Sequence, residues 1–134
     1  MPASQYNFII EQGSSFVMNL VYKDDNGSII DLTDWCARLT WVTNKNITQV
    51  FHTTNIDYNL YKFSIIGNEG KLSLLIPSDT TNTFDFNSAK YDLELQSPDD
   101  LYAGGGKYTT RLLYGVITIN KRFSRSGNSL DCVP

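Results

Sequence analysis

Residues 90–96 read Lys-Tyr-Asp-Leu-Glu-Leu-Gln. Tyr91, Leu93 and Leu95 alternate with Asp92 and Glu94, and a period of two belongs to a strand with one buried and one wet face. The same alternation recurs upstream. Leu72, Leu74 and Ile76 follow Lys71 and stop at Pro77, which has no amide hydrogen to give a ladder. Phe63–Ile66 runs into Gly67-Asn68-Glu69-Gly70, a hairpin turn by composition. Residues 36–43 put Ala37, Leu39 and Trp41 on one face with Arg38 and Thr40 on the other. Residues 15–23 do the same with Phe16, Met18, Leu20 and Tyr22, before Asp24-Asp25-Asn26-Gly27 turns the chain. Residues 6–11 and 47–53 read as shorter strands, and 54–62 show no clear pattern.

Downstream, residues 108–119 form a long strand with Gly115 inside it. An interior glycine marks either a bulge or the close approach of another backbone. Residues 78–88 are the one place for a helical turn, with Ser78 or Asp79 available as its cap. Short strands at regular spacing with turn signals between them predict an all-β sandwich or barrel. In a sandwich, the two tryptophans and the Tyr and Phe residues fill the space between the sheets.

Composition agrees. The chain has 134 residues, 41% hydrophobic and 19% charged, with a net charge of -3. This suits one folded domain, expected over residues 1–123 with a C-terminal tail or arm over 124–134. Twelve Asn and twelve Thr stand beside eight Tyr and seven Phe, the residue types of turns and pleated surfaces. A mildly acidic chain lacks the basic stripe of a nucleic-acid binder, so no nucleic-acid partner is expected. No run of about 18 apolar residues predicts a membrane helix. The first residues carry neither a basic nor an apolar signal region, so no secretory signal is expected. Without one, Cys36 and Cys132 are expected as free thiols, with a single bridge between them as the alternative.

Motifs for chemistry fail on inspection. The acids at 24, 25, 31 and 34 crowd one corner, but an EF-hand with Gly27 at its glycine position would begin at Tyr22 and end at Thr33, where acids are required. Turn chemistry accounts for them, and no metal site is expected. Asp92 and Glu94 share a strand face about 7 Å apart, as the wet side of any half-buried strand would. Gly104-Gly105-Gly106-Lys107-Tyr108 lacks the first glycine and the Ser/Thr of a phosphate loop. His52 is the only histidine, and nothing in the sequence supplies it with a nucleophile. An enzyme would need a cleft at His52 shared with an acid or Cys36. The expectation is therefore a non-enzyme without cofactors. Tyr58, Tyr61, Tyr102 and Tyr108 fall in loops or at strand ends and are the aromatic side chains expected to meet a partner.

Two stretches carry a resemblance. One runs from Gly13-Ser14-Ser15-Phe16 to Asp31-Leu32-Thr33-Asp34-Trp35. The other joins Gly70-Lys71-Leu72-Ser73-Leu74, Thr80-Thr81, Tyr91–Leu95 and Arg111–Ile117. This order resembles the small immunoglobulin-like β-sandwich proteins of tailed-bacteriophage virions, including tail and baseplate components, over about residues 10–120. The resemblance implies an immunoglobulin-like antiparallel β-sandwich of about eight strands, with at most a short helical turn near residues 78–84. It implies a structural virion part, assembled in the host cytoplasm, whose partners are other virion proteins or further copies of itself. Such a part works through strand edges, loops such as 97–107, and terminal segments. The competing expectation is a carbohydrate- or receptor-binding module on the same scaffold, which would need an exposed aromatic platform.

Overall fold

The computed structural model describes residues 3–54, 60–98 and 107–122. They form β1 (Ser4–Gln5), β2 (Phe8–Glu11), β3 (Phe16–Val21), β4 (Cys36–Thr43), β5 (Thr48–His52), β6 (Lys62–Ile66), β7 (Lys71–Ile76), β8 (Ser88–Gln96) and β9 (Thr109–Asn120). A helical turn α1 (Ser78–Thr81) and a 3-10 turn at Gly67–Glu69 complete the description. The larger sheet runs β1-β9-β8-β4-β5, with β2 also on β9, and the smaller runs β3-β7-β6. The two sheets enclose one core, so the expected all-β sandwich is the observed one.

One feature departs from a purely antiparallel plan. The N-terminal segment lies parallel to β9, with Ser4 beside Leu113 and Phe8 beside Ile117. The expected 6–11 strand is split at Tyr6-Asn7, because polar groups there leave the regular ladder. The Asn7 side-chain oxygen accepts the Val116 amide at 3.0 Å, and the Tyr6 carbonyl accepts the Tyr91 hydroxyl at 2.6 Å. Gly115 allows this crossing. A Cβ built there would lie 2.2 Å from the Tyr6 carbonyl oxygen. The close-approach reading of Gly115 holds, and the bulge is elsewhere. Leu93 pairs with Leu113 but Glu94 with Arg111, so Leu112 is the extra residue. The bulge resets the strand's phase and lets Leu112 and Leu113 both lean on the core.

The inward residues are those the alternation selects. Leu39, Trp41, Leu72, Leu74, Ile76 and Leu93 are all fully buried or nearly so. Trp41 is enclosed edge-on by Phe51 at 4.7 Å and Phe84 at 5.5 Å. Trp35 is different: it is only half-buried and stands edge-on to Tyr108 at 6.3 Å. The helical turn also differs from expectation in its cap. Neither Ser78 nor Asp79 caps it; Pro77 is the cap residue, and its carbonyl accepts the Thr80 and Thr81 amides. The buried Thr81 hydroxyl accepts the Gly13 amide at 3.1 Å and donates to the Ser14 carbonyl at 2.8 Å. The turn thus anchors the link from β2 to β3.

Gly115→Ala is expected to lower the unfolding free energy by about 1–3 kcal/mol, the cost of overpacking against backbone that cannot step aside. Urea denaturation followed by tryptophan fluorescence reads the loss. An unchanged midpoint would mean that the N-terminal segment does not lie against β9.

Candidate contact surfaces

The connections β3–β4, β6–β7 and β8–β9 open from one end of the sandwich. One bond joins the first two connections, and two close the base of the third. The Leu32 amide donates to the Gly67 carbonyl at 2.7 Å, and Ser97 and Tyr108 are joined twice, by the Ser97 amide on the Tyr108 carbonyl and the Tyr108 amide on the Ser97 hydroxyl. Trp35, Tyr108 and the half-buried Tyr22 gather at this end. Burial raises the Tyr22 pKa, and the neighbouring Tyr108 and Asp25 raise it further. Around them stand the exposed acids Asp24, Asp25, Asp31 and Asp34. A shallow groove of about 290 Å³ runs between Thr33–Trp35 and Gly67–Asn68.

Those acids serve the turns. The Asp24 carboxylate accepts the Asn26 and Ser28 amides, each at 2.9 Å. The Asp31 carboxylate accepts the Thr33 amide at 2.9 Å and its hydroxyl at 2.5 Å. These two bonds hold the Asp31 pKa below the ordinary carboxylate value. Among the described residues no three His, Cys, Asp or Glu side chains converge as metal ligands do.

The four tyrosines expected to meet a partner are sorted unevenly. Tyr108 sits at the loop-bearing end, beside Trp35. Tyr61 does not face outward: it is 6% exposed, packs edge-on against Phe51 at 4.7 Å, and its hydroxyl accepts the His52 amide at 3.1 Å. It belongs to the core because the chain enters β6 there and carries the ring inward. Tyr58 and Tyr102 lie outside the described residues, as do Cys132, most of the 97–107 loop and the 124–134 segment. Trp35 packs against the core as expected but is only partly buried, and it stands beside Tyr108 at the loop-bearing end.

The second surface is the outer face of the larger sheet. Directly opposite partners set its rows: His52, Arg38, Glu94 and Arg111 across four strands, and Val50, Thr40, Asp92 and Tyr114 in the next row. Arg38 and Glu94 form an ion pair at 2.6 Å, and this bond makes the guanidinium harder to deprotonate. The Arg111 guanidinium lies 5.0 Å from the centre of the Tyr114 ring, within cation–π range. Asp92 and Glu94 do share this face, in different states. Glu94 is tied to Arg38. Burial, and then the Glu94 charge, raise the Asp92 pKa above its ordinary value, against the pull of Arg111 and Arg38.

A groove of about 180 Å³ on this face is lined by Cys36, Arg38, His52, Glu94 and Gln96. Strand pairing brings His52 and Cys36 to one groove, which sequence spacing alone did not reveal. No hydrogen bond joins them among the described residues. The Cys36 thiol points to the Gln96 side-chain oxygen at 3.9 Å, and Arg38 lies between His52 and Glu94 in its row.

Neither a protein-family profile nor a curated relative matches the sequence.

Asp92→Asn is expected to stabilise the fold at about pH 7 and to lose that advantage at about pH 3. The sign follows from the raised native pKa. Stability tied to the protonated carboxyl is complete below the unfolded-state value and is lost as pH rises through the native one. Urea midpoints of the two proteins at both pH values check this; a variant less stable at neutral pH would show that the Asp92 charge is favourably paired.

Proposed function

We propose that this chain is a non-enzymatic structural and assembly component of a tailed-phage particle, of the tail or baseplate type, acting through protein–protein contacts. The observation that carries the reading is the exposure of aliphatic side chains on both outer sheet faces: Val17, Val21 and Ile66 on the smaller sheet, and Val42, Val50 and Val116 on the larger. The pleat sets these side chains outward, interleaved with polar residues such as Lys71 and Lys90, and exposed apolar side chains on a sheet face can be covered by a partner. The resemblance of the motif order to immunoglobulin-like virion sandwiches suggests the kind of assembly. The aromatic and acidic loop end adds a second contact region, suited to a partner with basic side chains around an apolar centre. Its Trp35 and Tyr108 are the anchor type of residue at protein interfaces.

In this reading the sandwich is a rigid body that presents loops, edges and termini to neighbours. The alternative, a carbohydrate-binding module, needs an open aromatic ring. Tyr6 is 57% exposed and Trp35 and Tyr108 are half-exposed, whereas the Arg111 guanidinium occupies the space beside the Tyr114 ring.

Purified particles from a host producing this chain should contain it at a fixed copy number, and antibody labelling should place it on the tail. Absence from the particles overturns the reading. Absence combined with binding of the free protein to a glycan array would replace it with the carbohydrate-binding alternative.

A further inference from the structure

We propose that two copies of this chain pair through β3, antiparallel and centred on Asn19, to make one continuous sheet. The proposal stands on the strand itself and not on the virion reading, so a monomer would overturn it and leave that reading intact.

β3 is an edge strand, since the smaller sheet runs β3-β7-β6. Its even-numbered residues face β7. The Tyr22 amide donates to the Gly70 carbonyl at 2.8 Å, in the same register that sets Leu20 beside Leu72 and Met18 beside Leu74. In an antiparallel ladder the alternate residues then turn their N–H and C=O groups outward. These are Val17, Asn19 and Val21, and no described hydrogen bond uses their backbone groups. An edge of this kind is a template for another strand.

Two other edges carry blunting features and this one carries none. On β5 the His52 amide is taken by the Tyr61 hydroxyl, and β6 begins with Lys62. From Phe16 to Tyr22 there is no charge, proline or glycine, the devices that keep sheet edges apart. Val17 and Val21 are 55% and 42% exposed.

What fits this edge is the strand itself. Residues 16–22 read Phe-Val-Met-Asn-Leu-Val-Tyr, which is nearly the same chemistry in both directions about Asn19. A two-fold axis through Asn19 sets Val17 opposite Val21 of the second copy, Met18 opposite Leu20, and Phe16 opposite Tyr22. It sets Asn19 opposite itself, where each amide can donate to and accept from the other. The outward-facing residues fall in register as hydrogen-bonded pairs, each exchanging two backbone bonds. Shifting the centre by one residue would place Val17 against Asn19 and lose the match. The interface is isologous and closes at two copies.

The test uses the full chain and light scattering after size exclusion over a range of concentrations. The wild type is expected to form a dimer. V17K/V21K places lysine opposite lysine at both ends of the pairing and should weaken the dimer at least tenfold. V17K/V21E carries the same number of exposed substitutions but places lysine opposite glutamate at both ends, and should remain a dimer. Circular dichroism confirms that both variants fold. A wild type that stays monomeric up to its solubility limit overturns the proposal. So does a V17K/V21K dimer of undiminished affinity, or a V17K/V21E dimer weakened as far as V17K/V21K.

Discussion

The parallel docking of the N-terminal segment on β9 is the constraint from which the rest of the architecture follows. It needs a glycine at 115, where a side chain would collide with the Tyr6 carbonyl. It is fastened by the Tyr91 hydroxyl from the neighbouring strand β8 and by the Asn7 side chain. Tyr91 is part of the core, and its burial beside Tyr6 raises its pKa, so the hydroxyl stays protonated as a donor. The consequence for the larger sheet is that β9 is covered and the short β1–β2 segment forms its edge. For the smaller sheet it is the reverse: the segment that could have covered β3 is used elsewhere, and among the described residues no strand pairs with its outer edge.

The core holds the two sheets against this asymmetric closure. Trp41 sits on the inner face of β4 among Phe51, Phe84 and Phe86. Two of these rings come from the segment after α1, outside any strand. The same segment receives bonds from the N-terminal link and the C-terminal end of β9: the Gln12 side chain and the Lys121 ammonium both donate to the Phe84 carbonyl. One aromatic cluster therefore secures both the sheet packing and the β2–β3 crossing. At the loop-bearing end a different pair, Trp35 and Tyr108, stands edge-on and half-exposed.

Strand identity was legible because alternation is a local property. β4, β7 and β8 are described where Ala37–Trp41, Leu72–Ile76 and Tyr91–Leu95 alternate. Asn46 and Asp34 occupy left-handed backbone at turns, as short polar side chains do. Pairing is non-local, and what depends on it was not legible. The parallel course of β1 and β2 leaves no period in the sequence. The bulge at Leu112 leaves only two adjacent leucines in β9. Tyr61 looked like a loop residue because its segment has no pattern, yet its ring fills a site made by Phe51. Likewise, the groove shared by Cys36 and His52 exists only once β4 and β5 are side by side. The self-matching order of residues 16–22 is visible in the sequence, but it acquires meaning only when β3 is known to be an edge.

Amide hydrogen exchange, residue by residue in a solution dilute enough for monomers, tests the central claim most directly. The account predicts slow exchange at Tyr6, Gln12 and Tyr22, whose amides donate to Tyr114, Asn120 and Gly70. It predicts fast exchange at Val17, Asn19 and Val21 on the bare edge. Slow exchange at these three together with fast exchange at Tyr6 and Gln12 would contradict it, because the N-terminal segment would then lie on β3 and not on β9.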